Sequence, residues 1–169
     1  MSVLIRPEQP SDVAAIRAVH VAAFPTSAEA DLVDLCRMRG RNQVSLVAVD
    51  GDNVVGHILF TPVTVGGELT RGTGLAPVAV LPSHQKRGVG KLLCRRGLEA
   101  CRAAGLQFAV VLGSTKYYGQ FGFRRASDFG LGNEYGEDDA FMAMELRPDG
   151  LPGSSGLVQY CTEFKETGV

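Results

Sequence analysis

Long apolar runs, paired cysteines, histidine clusters and a dominant sign of charge are all missing from this 169-residue sequence. No apolar stretch approaches the roughly 20 residues that a membrane-spanning helix needs. The start, Met-Ser-Val-Leu-Ile-Arg-Pro-Glu, has no basic segment followed by an apolar one. A soluble, cytoplasmic protein is expected. Cys36, Cys94, Cys101 and Cys161 form no Cys-x-x-Cys pair, and with only three histidines they supply neither a zinc cluster nor a disulfide framework. Scattered cysteines of this kind fit a reducing compartment, and no metal is expected. With 17 basic and 18 acidic residues and a formal charge of -1, nothing draws the chain as a whole to nucleic acid or a membrane surface. Repeats and low-complexity blocks are absent. The length suits one domain, residues 1–169, able to bury about two thirds of its unfolded surface.

Glycine, by contrast, is plentiful and placed. Gln85-Lys86-Arg87-Gly88-Val89-Gly90-Lys91 lies between an apolar run, Leu75 to Leu81, and a helical pattern starting at about Val89. A glycine-rich basic turn at a strand-to-helix junction exposes backbone N–H groups, adds the positive end of a helix dipole and lets a phosphate approach where no Cβ intervenes. Two familiar phosphate motifs fail on spacing. An ATP-binding P-loop needs glycine where Gln85 stands and Ser or Thr where Leu92 stands, and a dinucleotide fingerprint needs a third glycine where Leu93 stands.

The pattern that remains, Gln85-x-x-Gly88-x-Gly90 after a strand and before an amphipathic helix, resembles the acyl-coenzyme A pyrophosphate motif of the GNAT N-acetyltransferase superfamily. A second element agrees in order and separation: Tyr118-Gly119-Gln120-Phe121-Gly122-Phe123, preceded by Tyr117, matches a Tyr-x-x-x-Gly-Phe element that GNAT chains often carry. The likeness in motif runs from about Leu75 to Phe123. Two departures are Gln in place of the more frequent Arg at position 85, and Ser114 to Lys116 where many members carry an asparagine.

The remaining elements follow from periodicity. Val3 to Arg6 reads as a strand ended by Pro7, and Ser11-Asp12 as the N-cap of a helix using Ile16, Val19 and Ala23. A second helix is expected from Ser27 to Met38, burying Leu32, Leu35 and Cys36, with Gly40 as its stop. Val44–Val49 and Val54–Phe60 form a hairpin across Asp50-Gly51-Asp52-Asn53, and Val63–Val65 leads into a Gly66-Gly67 turn. Pro77 removes a ladder donor and points to a bulge. A helix from Val89 carries Leu92, Leu93, Leu98, Cys101 and Ala104 on its apolar face and stops at Gly105. Phe108–Leu112 reads as a strand buried on both faces, which makes a β-α-β unit with the strand before the helix. A capped short helix over Ser114–Gln120, a strand starting at Phe123, and strands over Ala140–Leu146 and Leu157–Phe164 complete the chain, with loops at Gly130–Gly136 and Gly150–Gly156.

The resemblance implies an α/β fold with a mixed, mostly antiparallel sheet of six or seven strands, helices on both faces and a central parallel β-α-β unit. It implies acetyl-CoA as co-substrate, with a bulged strand at Val78, Ala79 and Val80 binding the pantetheine arm as a pseudo-peptide. Gln85, Lys86, Arg87, Gly88, Val89, Gly90 and Lys91 would take the pyrophosphate, and Tyr118 would act as general acid near the sulfur, with Tyr117 as runner-up. A free thiol titrates near 8.5, so the leaving group needs only modest help. For the general base, Glu29, Glu68, Asp34, Glu134 and His57 are chemically able. Glu29, where GNAT acceptor loops tend to lie, is selected, whereas His57 in its apolar strand reads as a satisfied core residue. Cys94 and Cys101, seven apart on one helix, read as buried small hydrophobes. The expected activity is transfer of acetyl to a primary amine, a small molecule rather than a protein, by a monomer or homodimer. The alternative is a non-catalytic acyl-CoA binding or sensing module.

Overall fold

The computed structural model describes residues 2–153 and 155–169, so Ser154, inside the expected Gly150–Gly156 loop, lies outside the described residues. The chain divides into two compact units: Met1–Phe60, Ala76–Gly97 and Thr162–Val169 in the first, Thr61–Leu75 and Leu98–Cys161 in the second.

In the first unit, β1 (Val3–Pro7) runs antiparallel to β2 (Val44–Asp50), with Val3 opposite Asp50. A tight turn with Gly51 at φ +63° returns the chain as β3 (Asn53–Val65), which sets Val47 opposite His57 and Val44 opposite Phe60. Alternation along β3 places helices on its two faces. His57 meets His20 of α1 (Val13–Ala23), while Gly56 and Phe60 meet Leu93 and Gly97 of α3 (Val89–Ala103). A Cβ on Gly97 would sit 2.5 Å from a Phe60 ring carbon, so this glycine is what lets helix and sheet approach. Ile58, Leu59 and Phe60 are fully buried, each worth roughly 1.5–3 kcal/mol of transfer free energy. α2 (Ala28–Met38) packs on α1 and on the C-terminal α5 (Glu163–Thr167).

In the second unit, Gly66 and Gly67, with φ of +60° and +82°, turn β3 into β4 (Glu68–Val80). β4 pairs in parallel with β5 (Phe108–Leu112) over Gly72–Gly74, which closes the expected β-α-β unit. β5 pairs antiparallel with β8 (Phe141–Glu145), and β8 with β6 (Arg124–Arg125). β9 (Gly156–Tyr160) lies antiparallel to β3 at Val63–Val65 and parallel to β7 (Leu131–Asn133). The main path is β1-β2-β3-β4-β5-β8-β6, in a nine-stranded, mixed and mostly antiparallel sheet.

Several expectations need correction. The last strand stops at Tyr160 rather than Phe164, because Glu163 turns inward to Arg39 (3.0 Å) and Arg41 (3.3 Å) and opens α5, which Gly168 ends at φ +80°. Within the expected Gly130–Gly136 loop, Leu131–Asn133 finds the edge of β9 and becomes β7. Asp12 does not cap α1: its carboxylate accepts from Gln9 N–H (2.7 Å) and pairs with Arg6 (2.7 Å). Burial also shifts: Leu35, Leu92 and Ala23 are half-buried while Val33 and His20 are buried, and Cys36 and Cys94 are buried as expected. Ala104 lies past the end of α3 and is exposed.

Candidate functional site

The glycine-rich turn belongs to the first unit. Beyond the β4–β5 ladder, β4 alternates: Ala76, Val78 and Val80 are half-buried, Pro77 and Ala79 buried. The strand end is tied to β3 by Leu81 N–H donating to Val55 O (2.8 Å), and Gln85 Nε2 donates back to Val80 O (2.9 Å). Gln85 therefore shapes the turn with its amide. Lys86 (φ +61°) and Gly88 (φ +82°) are both left-handed, the kind of turn backbone from which anion-binding nests of N–H groups are built. For Lys86 that conformation costs roughly 1–2 kcal/mol. A Cβ on Gly88 would meet nothing within 4 Å, so its glycine serves the dihedral and leaves the backbone open to approach.

α3 starts at Val89, and Leu92 N–H to Gly88 O (3.0 Å) is the bond that joins helix to turn. The N–H groups of Val89, Gly90 and Lys91 precede any partner within the helix and sit at the positive end of its dipole. Val89, Leu93 and Cys94 are buried and fix the helix start, while Lys86, Arg87 and Lys91 are exposed.

Tyr118 belongs to the second unit, on α4 (Thr115–Gly119). Ser114 caps that helix, its Oγ accepting from Tyr117 N–H at 3.2 Å. The Tyr118 ring is half-buried, edge-on to Tyr117 (5.0 Å) and Phe123 (6.0 Å). A Cβ on Gly113 would lie 2.5 Å from Tyr118 Cε2, so that glycine makes room for the ring. In the same unit, Tyr135 and Tyr160 meet edge-on (6.1 Å). Burial, with Glu134 and Cys161 adding to it, pushes the Tyr135 phenol up to about 12.

Glu29 lies in the first turn of α2, and its buried Oε1 meets no hydrogen-bond partner among the described residues. The first unit also holds a polar chain that sequence reasoning missed, apart from the core assignment of His57. Arg37 grips Glu8 through Nε (2.7 Å) and Nη2 (3.0 Å), and Ser45 Oγ donates to Glu8 Oε1 (2.7 Å). Ser45 has one hydrogen and spends it on Glu8, so His57 Nε2 must carry the hydrogen shared with Ser45 Oγ (2.8 Å). His57 Nδ1 is then an acceptor and His20 Nε2 the donor to it (2.8 Å). Burial, then the nearby His57 and Arg37 charges, lowers His20 to about 3; burial also lowers His57. Burial alone would raise Glu8, but Arg37, with His57 and Ser45, holds it well below the usual carboxylate range. These groups keep one protonation state near neutrality and act as a strut, since a proton sent toward Glu8 would find no basic site. Among the described residues, no group of three or more His, Cys, Asp or Glu side chains can hold a metal ion, and no helix is long and apolar enough to cross a membrane.

Comparison with known proteins agrees with this geometry. A family profile described as an acetyltransferase (GNAT) domain matches residues 4–126. The chain is 36% identical to the uncharacterized N-acetyltransferase YhbS of Escherichia coli K12 over 163 residues, which cover 95% of this chain and 98% of YhbS. The crystal structure of E. coli YhbS in complex with CoA matches with a TM-score of 0.92 at 36% identity, covering 96% of this chain and 92% of that one. A GNAT family acetyltransferase from Brucella melitensis, crystallised with acetyl-CoA, matches with a TM-score of 0.82 at 36% identity, covering 96% and 98%. The chain belongs to the GNAT acetyltransferase family.

Proposed function

We propose that this protein transfers the acetyl group of acetyl-CoA directly to a primary amine in a ternary complex. The observation that carries the proposal is the turn at the start of α3, where left-handed Lys86 and Gly88 present backbone N–H groups at a helix N-terminus. Relatives similar over nearly the whole chain, from E. coli and B. melitensis, were crystallised with CoA and acetyl-CoA. In this reading the N–H groups of Gly88, Val89, Gly90 and Lys91 take the diphosphate, and exposed Lys86, Arg87 and Lys91 add positive charge. Val78, Ala79 and Val80 receive the pantetheine arm along the strand, outside the β4–β5 ladder.

The amine nitrogen attacks the thioester carbonyl, the C–S bond breaks, and Tyr118 gives its phenolic proton to the departing thiolate. Its ring is held by Gly113, Tyr117 and Phe123, which supports this choice. Glu29 accepts the amine proton, and the buried, unpartnered Oε1 supports that role. The acceptor is a small amine. The chain works as one domain, in the cytoplasm, as a monomer or homodimer.

The test is release of free coenzyme A thiol against a panel of amines. Wild type is expected to turn over, and Tyr118→Phe to lose about a hundredfold in kcat, the low end of what a general acid supplies. Tyr117→Phe should stay within about twofold. Unchanged turnover in Tyr118→Phe removes that residue from the mechanism. Tight acetyl-CoA binding with no thiol released by any amine replaces the enzyme with an acyl-CoA sensing module.

A further inference from the structure

From Pro82 to Gly88 every residue is exposed except His84. The exit of this segment is anchored by buried Val89, Leu93 and Cys94 of α3, and its entrance by the Leu81 N–H bond to Val55 O (2.8 Å) and, within the segment itself, by the side chain of His84. The imidazole is held on both sides. Its Nε2 lies 2.9 Å from Asp50 Oδ2, and because an ionised carboxylate only accepts, that nitrogen carries the hydrogen. Its Nδ1 is 2.8 Å from Ser83 Oγ. Asp50 ends β2 and precedes the β2–β3 turn, so this bond joins the segment to a different hairpin. The Gln85 to Val80 bond only ties it to its own strand. Arg6, Asp12 and Asp52 line a cleft of about 570 Å³ together with His84, but Arg6 and Asp12 are committed to each other at 2.7 Å.

We propose that His84 is a positioning residue for cofactor binding: clamped by Asp50, it holds the entrance of the Gln85–Lys91 turn in the shape that presents backbone N–H groups to a diphosphate. The proposal rests on reading that turn as the CoA diphosphate site. A ligand recognised by main-chain groups gains affinity when those groups are fixed before it arrives.

Coenzyme A is titrated calorimetrically into wild type, His84→Ala, Asp50→Ala, the double variant and His84→Gln, whose amide can supply a donor in place of Nε2. Each alanine variant is expected to bind about tenfold more weakly, and the double variant no worse than either single, because the pair acts as a unit. His84→Gln should recover most of the loss. The KM for acetyl-CoA should rise in step, with kcat at saturation within about twofold of wild type. Wild-type affinity in both alanine variants, or losses that add in the double variant, overturns the proposal. Absence of binding by wild type itself overturns the diphosphate reading on which it stands.

Discussion

Gly72 has no room for a methyl group: a Cβ there would lie 2.1 Å from Cζ of Phe108. Gly72→Ala should therefore cost about 3 kcal/mol or more, because a fully buried ring must move, and urea unfolding monitored by circular dichroism checks it. Gly67→Ala is the control, since nothing lies within 4 Å of its Cβ position and only its φ of +82° is strained. A loss at Gly72 no larger than at Gly67 would show that Phe108 yields freely. The left-handed glycine ahead of α3, Gly88, was legible from sequence because a glycine-rich strand-to-helix junction encodes backbone dihedrals, a local property. The role of Gly72 was not, because the ring that demands it arrives from another strand. The same holds for His20 and His57, which meet across 37 residues of chain, and for His84 and Asp50.

Among the elements, α4 is five residues long and depends on its cap. Ser114→Ala is expected to cost about 1 kcal/mol of stability, the usual worth of an N-cap side chain. On the proposed mechanism it should also lower kcat, because α4 carries Tyr118, while Ser114→Asp keeps a capping acceptor and should retain activity. Thiol-release assays on the two variants check this, and equal rates for Ala and Asp would count against it. The β4-α3-β5 unit was legible because a helix period between two apolar runs admits few topologies. The C-terminus was not: Leu157 to Phe164 has strand composition throughout, and only the inward turn of Glu163 to Arg39 and Arg41 decides where α5 begins. Likewise Leu131–Asn133 is a strand through its partner β9, a matter of pairing rather than propensity.

At the scale of the whole molecule, the buried polar chain governs the response to acid. His20 titrates near 6.5 when unfolded and at about 3 when folded, so between those values the unfolded chain binds a proton that the native state refuses. Stability is therefore fully present above about pH 6.5 and falls as pH drops toward 3, by an amount on the order of 4 kcal/mol for this residue, with His57 acting in the same direction. Denaturation free energies measured from pH 7 to pH 4 should decline accordingly, and His20→Phe should flatten the decline while lowering stability at pH 7. A wild-type curve that stays level over that range would contradict it. The family and sheet class were legible from two short motifs, whereas the arrangement of the strut, spread over Glu8 just past β1 and over β2, β3, α1 and α2, has no local signature.

Arg37 sits at one end of that strut and the bare Nδ1 of His20 at the other, with every hydrogen between them pointing toward Glu8. The guanidinium keeps Glu8 anionic, the anion claims the serine hydroxyl, and the hydroxyl dictates which imidazole nitrogens are protonated in turn. A single cation on α2 thus writes the tautomer of a ring on α1, and neutralising it would leave two histidines at liberty to reverse their polarity together.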